Sequence, residues 1–125
     1  MSYAVKLNVN NTIEMIEIPK DHDYKWYAKQ IGCDFIEVVH PRYYPHPFVI
    51  DEEGRLKDNY VNIIASAMHG TFEHNEPIVG TAILMDEGLV DGEPDLIGFS
   101  LEKATSIVDD LKEMIEKADF ERIIH

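Results

Sequence analysis

An α+β fold, with an antiparallel-rich sheet packed by one short helix and one carboxy-terminal helix, is predicted by three features of the chain. Its amino-terminal residues alternate apolar and polar with a period of two, Pro- and Gly-marked turns separate several further short apolar runs, and its last quarter repeats apolar residues at three- and four-residue steps. With 125 residues and 45% hydrophobic content the chain can bury one substantial core, so the expectation is a single domain over 1–125.

Tyr3, Val5, Leu7 and Val9 alternate with Ala4, Lys6 and Asn8, the pattern of a strand with one buried face. Asn10-Asn11 supplies a two-residue turn, because asparagine tolerates left-handed backbone angles. In the second strand, Thr12 to Ile18, Ile13 and Met15 lie on one parity and Ile16 and Ile18 on the other, which predicts a bulge or burial on both faces; Pro19 ends it. Tyr24, Tyr27 and Ile31 share a helical face, with Asp21 or Asp23 as cap and Gly32 as terminator. Trp26 falls off that face and either packs under a loop or lies exposed at a contact surface; packing is the expectation, since large aromatics are mostly buried.

Phe35 to Val39 is apolar and β-branched and reads as a central strand. Pro41, Pro45 and Pro47 stop it by removing backbone donors. Phe48-Val49-Ile50 resumes a strand, and Asp51-Glu52-Glu53-Gly54 reads as the turn of a hairpin returning through Arg55-Leu56. The run from Val61 to Met68 is compatible with a helix or with an extended segment lying over the sheet, with a loop plus a short helical turn preferred, and Thr71 to Glu76 is polar and expected to be exposed. Pro77 to Met85 reads as a buried strand in which Gly80 permits close backbone approach, and Asp86 to Gly98 as an acidic loop. Finally Ser100 caps a helix over about 100–118 whose stripe is Leu101, Ala104, Val108, Leu111, Ile115 and Ala118.

Composition narrows the function. The 24 acidic and 11 basic residues leave a net charge of −13, which opposes phosphate-backbone binding and favours basic proteins or a cation as partners. One cysteine, Cys33, rules out an internal disulfide and fits a reducing, cytoplasmic setting. The start of the chain has no basic-then-apolar leader, and no apolar run approaches the roughly 20 residues of a membrane span, so neither secretion nor anchoring is expected.

The segment richest in chemistry is the proline-rich loop. His40, Arg42, Tyr43, Tyr44, His46 and Phe48 combine a planar cation with aromatic faces, suited to stacking a base or anchoring a protein contact, and the prolines limit the entropy lost on binding. The alternative is a loop that merely packs on the sheet. His40, His46, His69 and His74 invite a metal hypothesis, but Gly70 and Thr71 interrupt any ligand-bearing helix, and no metal or cofactor is expected. Cys33 with His40, and Ser66 near His69, lack the surroundings of a nucleophilic centre, and the glycines form no phosphate loop.

The order of features resembles family 3846 of the domains of unknown function. The resemblance rests on the amino-terminal hairpin, the run Phe35-Ile36-Glu37-Val38-Val39-His40-Pro41, the run Val49 to Lys57 followed by Asn62, and the run Glu-Pro-Ile-Val-Gly-Thr-Ala-Ile-Leu at 76–84. Where that family often carries Gly-Leu-Pro before the asparagine and an arginine after it, this chain has Asp58-Asn59-Tyr60-Val61 and Ile63. The resemblance implies small phage and mobile-element proteins with no agreed activity.

The functional expectation is therefore a non-enzymatic factor of the host-cell cytoplasm that binds a host protein and so neutralises a defence component. A sponge for a nucleotide signal is the alternative, and a small hydrolase or metal-dependent enzyme a weaker one. Exposed strand edges also allow a homo-oligomer that completes a pocket.

Overall fold

The computed structural model describes residues 1–57, 60–70 and 77–124, with side chains through Lys117 in the last helix. The elements run β1 (Ser2–Leu7), β2 (Ile13–Ile18), α1 (Tyr24–Ile31), β3 (Ile36–Val39), β4 (Phe48–Asp51), a 3-10 turn (Gly54–Leu56), α2 (Ile63–His69), β5 (Ala82–Leu84), β6 (Asp86–Val90), β7 (Glu93–Ile97) and α3 (Leu101–Ile124). Five strands form an antiparallel sheet in the order β2-β1-β5-β4-β3, and β6-β7 form a separate hairpin. The α+β expectation holds, with one helix more than expected. No described helix is long and apolar enough to cross a membrane.

Both faces of the sheet are covered, which is why β4 and β5 read as unbroken apolar runs. Successive side chains on a strand point to opposite faces. Phe48, Ile50, Ala82, Leu84, Val5 and Leu7 pack on one side with α2 and with Ala104, Ile107 and Leu111 of α3. Val49, Ile83, Ala4 and Met85 pack on the other side with Tyr27 of α1. The phase change in β2 has the same cause. Its register against β1 runs without a bulge from Ser2↔Ile18 to Leu7↔Ile13, and Ile13 joins the first core while Ile18 joins the second.

The caps form as expected. Asp23 accepts from the Lys25 N–H at 3.0 Å and Gly32 closes α1 at φ 83°, while Ser100 Oγ accepts from Lys103 N at 3.1 Å. Trp26 packs edge-on to Tyr27, with ring centroids 5.1 Å apart. In α3 the buried stripe includes Ile107, and the exposed Leu101 lies off it; Ala118 falls outside the described side chains.

Several expectations change. The first turn spans Asn8 to Thr12 rather than two residues, with Asn10 Oδ1 accepting from Thr12 N at 3.1 Å and Asn11 at φ 65°. β3 is an edge strand, not a central one, because it pairs with β4 alone, leaving Phe35 and Val38 exposed. No hairpin returns through Arg55-Leu56. Asp51 instead takes the Glu53 N–H and Lys57 Nζ at 2.9 and 2.8 Å, and Gly54 sits so close to Val79 that a Cβ there would fall 2.8 Å from the Val79 carbonyl oxygen. The run around Ile63 is a full helix. The strand expected from Pro77 begins only at Ala82, and the acidic segment 86–98 is the β6-β7 hairpin, turned by Asp91 (φ 53°) and Gly92 (φ 83°). Residues 71–76, expected to be exposed, lie outside the described residues.

Asn62 joins these parts. It is fully buried; its Nδ2 donates to the carbonyls of Leu7 at 3.0 Å and Gly80 at 2.9 Å, and its Oδ1 accepts from Ala65 N at 3.1 Å to cap α2. Asn62→Ala leaves two buried carbonyls without a donor and an uncapped helix, so chemical denaturation should show a loss of about 3 kcal/mol or more. Asn62→Asp should fail similarly, because a carboxylate cannot donate.

Burial, and then Asp95, push the Tyr27 hydroxyl up to about 12 from its ordinary 10.0. The neutral phenol is thus favoured in the folded state. That stability is fully present below pH 10 and is lost as pH rises from about 10 towards about 12. Tyr27→Phe should flatten the decline in that window in urea titrations, and the wild type should show a late phenolate absorbance step.

Candidate functional site

The loop between β3 and β4 is tied down along its length. Met85 N donates to the Pro47 carbonyl at 3.0 Å and Tyr43 N to the Met68 carbonyl at 2.9 Å, which fixes the loop to β5 at one end and to α2 at its middle. Gly70 ends α2 at φ 82°, where a Cβ would fall 2.9 Å from Tyr43 Cε2, so the bare glycine lets the tyrosine ring lie against the helix end.

The six loop residues then part company. Phe48 is completely buried in the sheet core, opposite Leu84 and Val39, and is not a surface contact. His46 is mostly buried, its ring edge-on to Phe99 at 5.0 Å and to Tyr44 at 5.7 Å, with Nδ1 3.5 Å from Asp86 Oδ1. His40 is exposed and pairs through Nε2 with Glu87 Oε1. These two histidines therefore face adjacent carboxylates at the start of β6 and clasp the hairpin to the loop. Arg42, exposed, places its guanidinium carbon 5.7 Å from the centroid of the Tyr43 ring.

Tyr43 and Tyr44 instead turn towards α2 and α3, and here a groove of about 320 Å³ opens. Its floor is Ile64, Met68 and Leu111, and its rim Tyr43, Ile63 and Met114, with exposures of 56%, 52% and 56%. Asn11 reaches it from the β1-β2 turn. The Tyr44 hydroxyl is pushed above its ordinary value by burial and by Asp110 of α3, so it stays protonated at neutral pH. A wall of two tyrosines and two methionines is apolar, polarisable and suited to holding another apolar group. The α2 and α3 parts of this site have no local signature in the sequence.

The other chemistries find little here. Ser66 Oγ is buried and bonded to Ile78, accepting from its N at 2.9 Å and donating to its carbonyl at 3.3 Å, so it serves the fold. His69 lies by the Phe48 ring, 6.5 Å between centroids, beside a separate hollow of about 80 Å³. His74 falls outside the described residues, and among the described residues no group of three or more His, Cys, Asp or Glu side chains is placed to hold a metal. The Cys33 thiol is pushed up by burial and then by Asp51, the reverse of what a nucleophile requires.

Fold and site together define an α+β chain with a ligand-sized apolar groove beside a clasped aromatic loop. The chain belongs to the family described as Domain of unknown function (DUF3846), whose model matches residues 1–112. Neither a curated protein nor a solved structure matches it.

The raised Cys33 pKa gives a direct check. Alkylation by iodoacetamide at pH 8 should run well below the rate of a free cysteine peptide in the folded protein and reach that rate in denaturant, and Asp51→Asn should speed the folded reaction.

Proposed function

We propose that this chain is a non-enzymatic binding protein that docks a partner protein on the Tyr43-Tyr44 face. The observation that carries this reading is the groove between α2 and α3, whose apolar lining continues onto the surface through Tyr43, Ile63 and Met114. Exposed apolar surface around a concavity is characteristic of interaction sites, and helix-walled grooves commonly receive apolar side chains of a partner segment. The net charge of −13 adds long-range attraction for a basic partner and raises the encounter rate at low salt. The setting implied by the family resemblance is that of a phage or mobile-element factor, whose partner would be a host defence component in the host cytoplasm.

A nucleotide in the same place is the second reading, favoured by the Arg42 guanidinium over the Tyr43 ring, where an anionic group and a base find a cation and an aromatic face. Asp110 beside Tyr44 opposes it, since a phosphate brought into the groove meets a like charge.

Native mass spectrometry of protein purified from host cells separates the two. The expected result is a stoichiometric host protein that is lost with Ile63→Glu/Met114→Glu, two changes at exposed positions that leave the core intact, and whose retention falls as salt rises. A small co-purifying mass, removed by Arg42→Ala, would establish the nucleotide reading instead.

A further inference from the structure

The β6-β7 hairpin stands outside the five-stranded sheet and is rooted at both ends. Met85 N donates to the Pro47 carbonyl just before it, and Tyr3 and Phe99 exchange backbone hydrogen bonds at 2.9 and 2.7 Å just after it. A two-stranded hairpin alone is marginally stable in water, so whatever fastens the strands between those roots sets how well ordered they are. Residues 86–98 carry five carboxylates, on Asp86, Glu87, Asp91, Glu93 and Asp95, and no basic side chain. Any cationic counter-charge therefore comes from outside the hairpin.

The β3-β4 loop supplies it in titratable form. Asp86 and Glu87 are consecutive on β6 and leave it on opposite faces, yet each meets a histidine of the same loop, so His46 and His40 grip the strand from both sides. His46 lies against the Tyr44 and Phe99 rings, and Leu96 packs the hairpin onto the second core; neither Phe99 nor Leu96 titrates. Arg42 of the loop keeps its charge throughout. The Tyr44 hydroxyl, raised by burial and by Asp110 of α3, and the Tyr27 hydroxyl of α1, raised by burial and by Asp95, stay neutral through pH 8. Of these groups, the two imidazoles are the ones whose charge changes near neutrality. A carboxylate neighbour favours the imidazolium, so each pair contributes fully below the ordinary histidine pKa of about 6.5, and that contribution is lost as pH rises through the titration.

We propose that the β6-β7 hairpin is a pH-governed arm, clasped to the β3-β4 loop by protonated His40 and His46 in mild acid and loosened as both imidazoles lose their protons. Its strands carry Leu89 and Val90, both exposed beside the turn, so the clasp sets how firmly that apolar tip is presented. The inference does not depend on what the groove binds.

Amide hydrogen exchange of the full chain at about pH 5.5 and pH 8, each corrected for the intrinsic exchange rate, tests it. The expected result is that protection across β6 and β7 falls about threefold to tenfold at the higher pH relative to protection in β1 and β5, which serve as the internal reference. His40→Gln/His46→Gln, neutral at both pH values, should hold the hairpin at the lower protection throughout. His40→Gln alone, at an exposed position that leaves the core intact, should shrink the difference, and His40→Lys, which keeps a positive charge, should retain part of the protection at pH 8. Equal relative protection of the wild-type hairpin at the two pH values would overturn the proposal. So would a fall that survives in the double variant, since the responsible group would then lie elsewhere, or an unchanged difference in His40→Gln.

Discussion

The side-chain amide of Asn62 is the joint on which the rest of the molecule hangs. A single buried group satisfies one carbonyl at the end of β1, one in the bend at Gly80 before β5, and the first turn of α2. Its own backbone N–H donates to the Ile78 carbonyl at 2.8 Å, and Ser66, one turn along α2, holds Ile78 from the other side. The bend before the central strand is thus fastened to the helix that covers it. Only an amide has a donor pair and an acceptor arranged to serve all three elements, so no hydrophobic residue of similar size substitutes for it.

With α2 fixed there, the shape of the surface follows. α2 is only seven residues long and α3 twenty-four, and a gap opens between them, lined by Ile63 and Met68 of α2 and by Leu111 and Met114 of α3. The loop after β3 fills the mouth of that gap with Tyr43 and Tyr44, pinned through Met68 and Pro47. The groove is therefore a by-product of packing two helices of unlike length on one face and closing the mouth with aromatic rings, and its lining comes from segments far apart in the chain.

That distance explains what could be read from the sequence and what could not. Capped helices were legible, because Asp23, Gly32 and Ser100 act on neighbours within a turn of the chain. The place of β3 in the sheet was not: Phe35 to Val39 has the composition of an interior strand, and only its lack of a second neighbour puts it at the edge. β6 and β7 were hidden because much of the hairpin is exposed and so imposes no apolar period, with Leu89 and Val90 both exposed, although Asp91-Gly92 is a strong hairpin turn. Of the loop residues, Tyr43 and Tyr44 line the groove, while the parity of Phe48 with Ile50 assigns it to the core. Asn11 carried a turn signal and nothing that linked it to α2 or α3.

The strand order has a kinetic meaning. Among the described residues β5, three residues long, is the strand that joins the β1-β2 and β3-β4 ladders, yet it is made after all four of those strands. Each earlier ladder can zip locally on leaving the ribosome, but neither can be joined to the other until residue 84 has emerged and threaded between them. Assembly of the native sheet is consequently a late, long-range event, slower than the ladders it unites, and until then both ladders present an unsealed edge to the crowded cell.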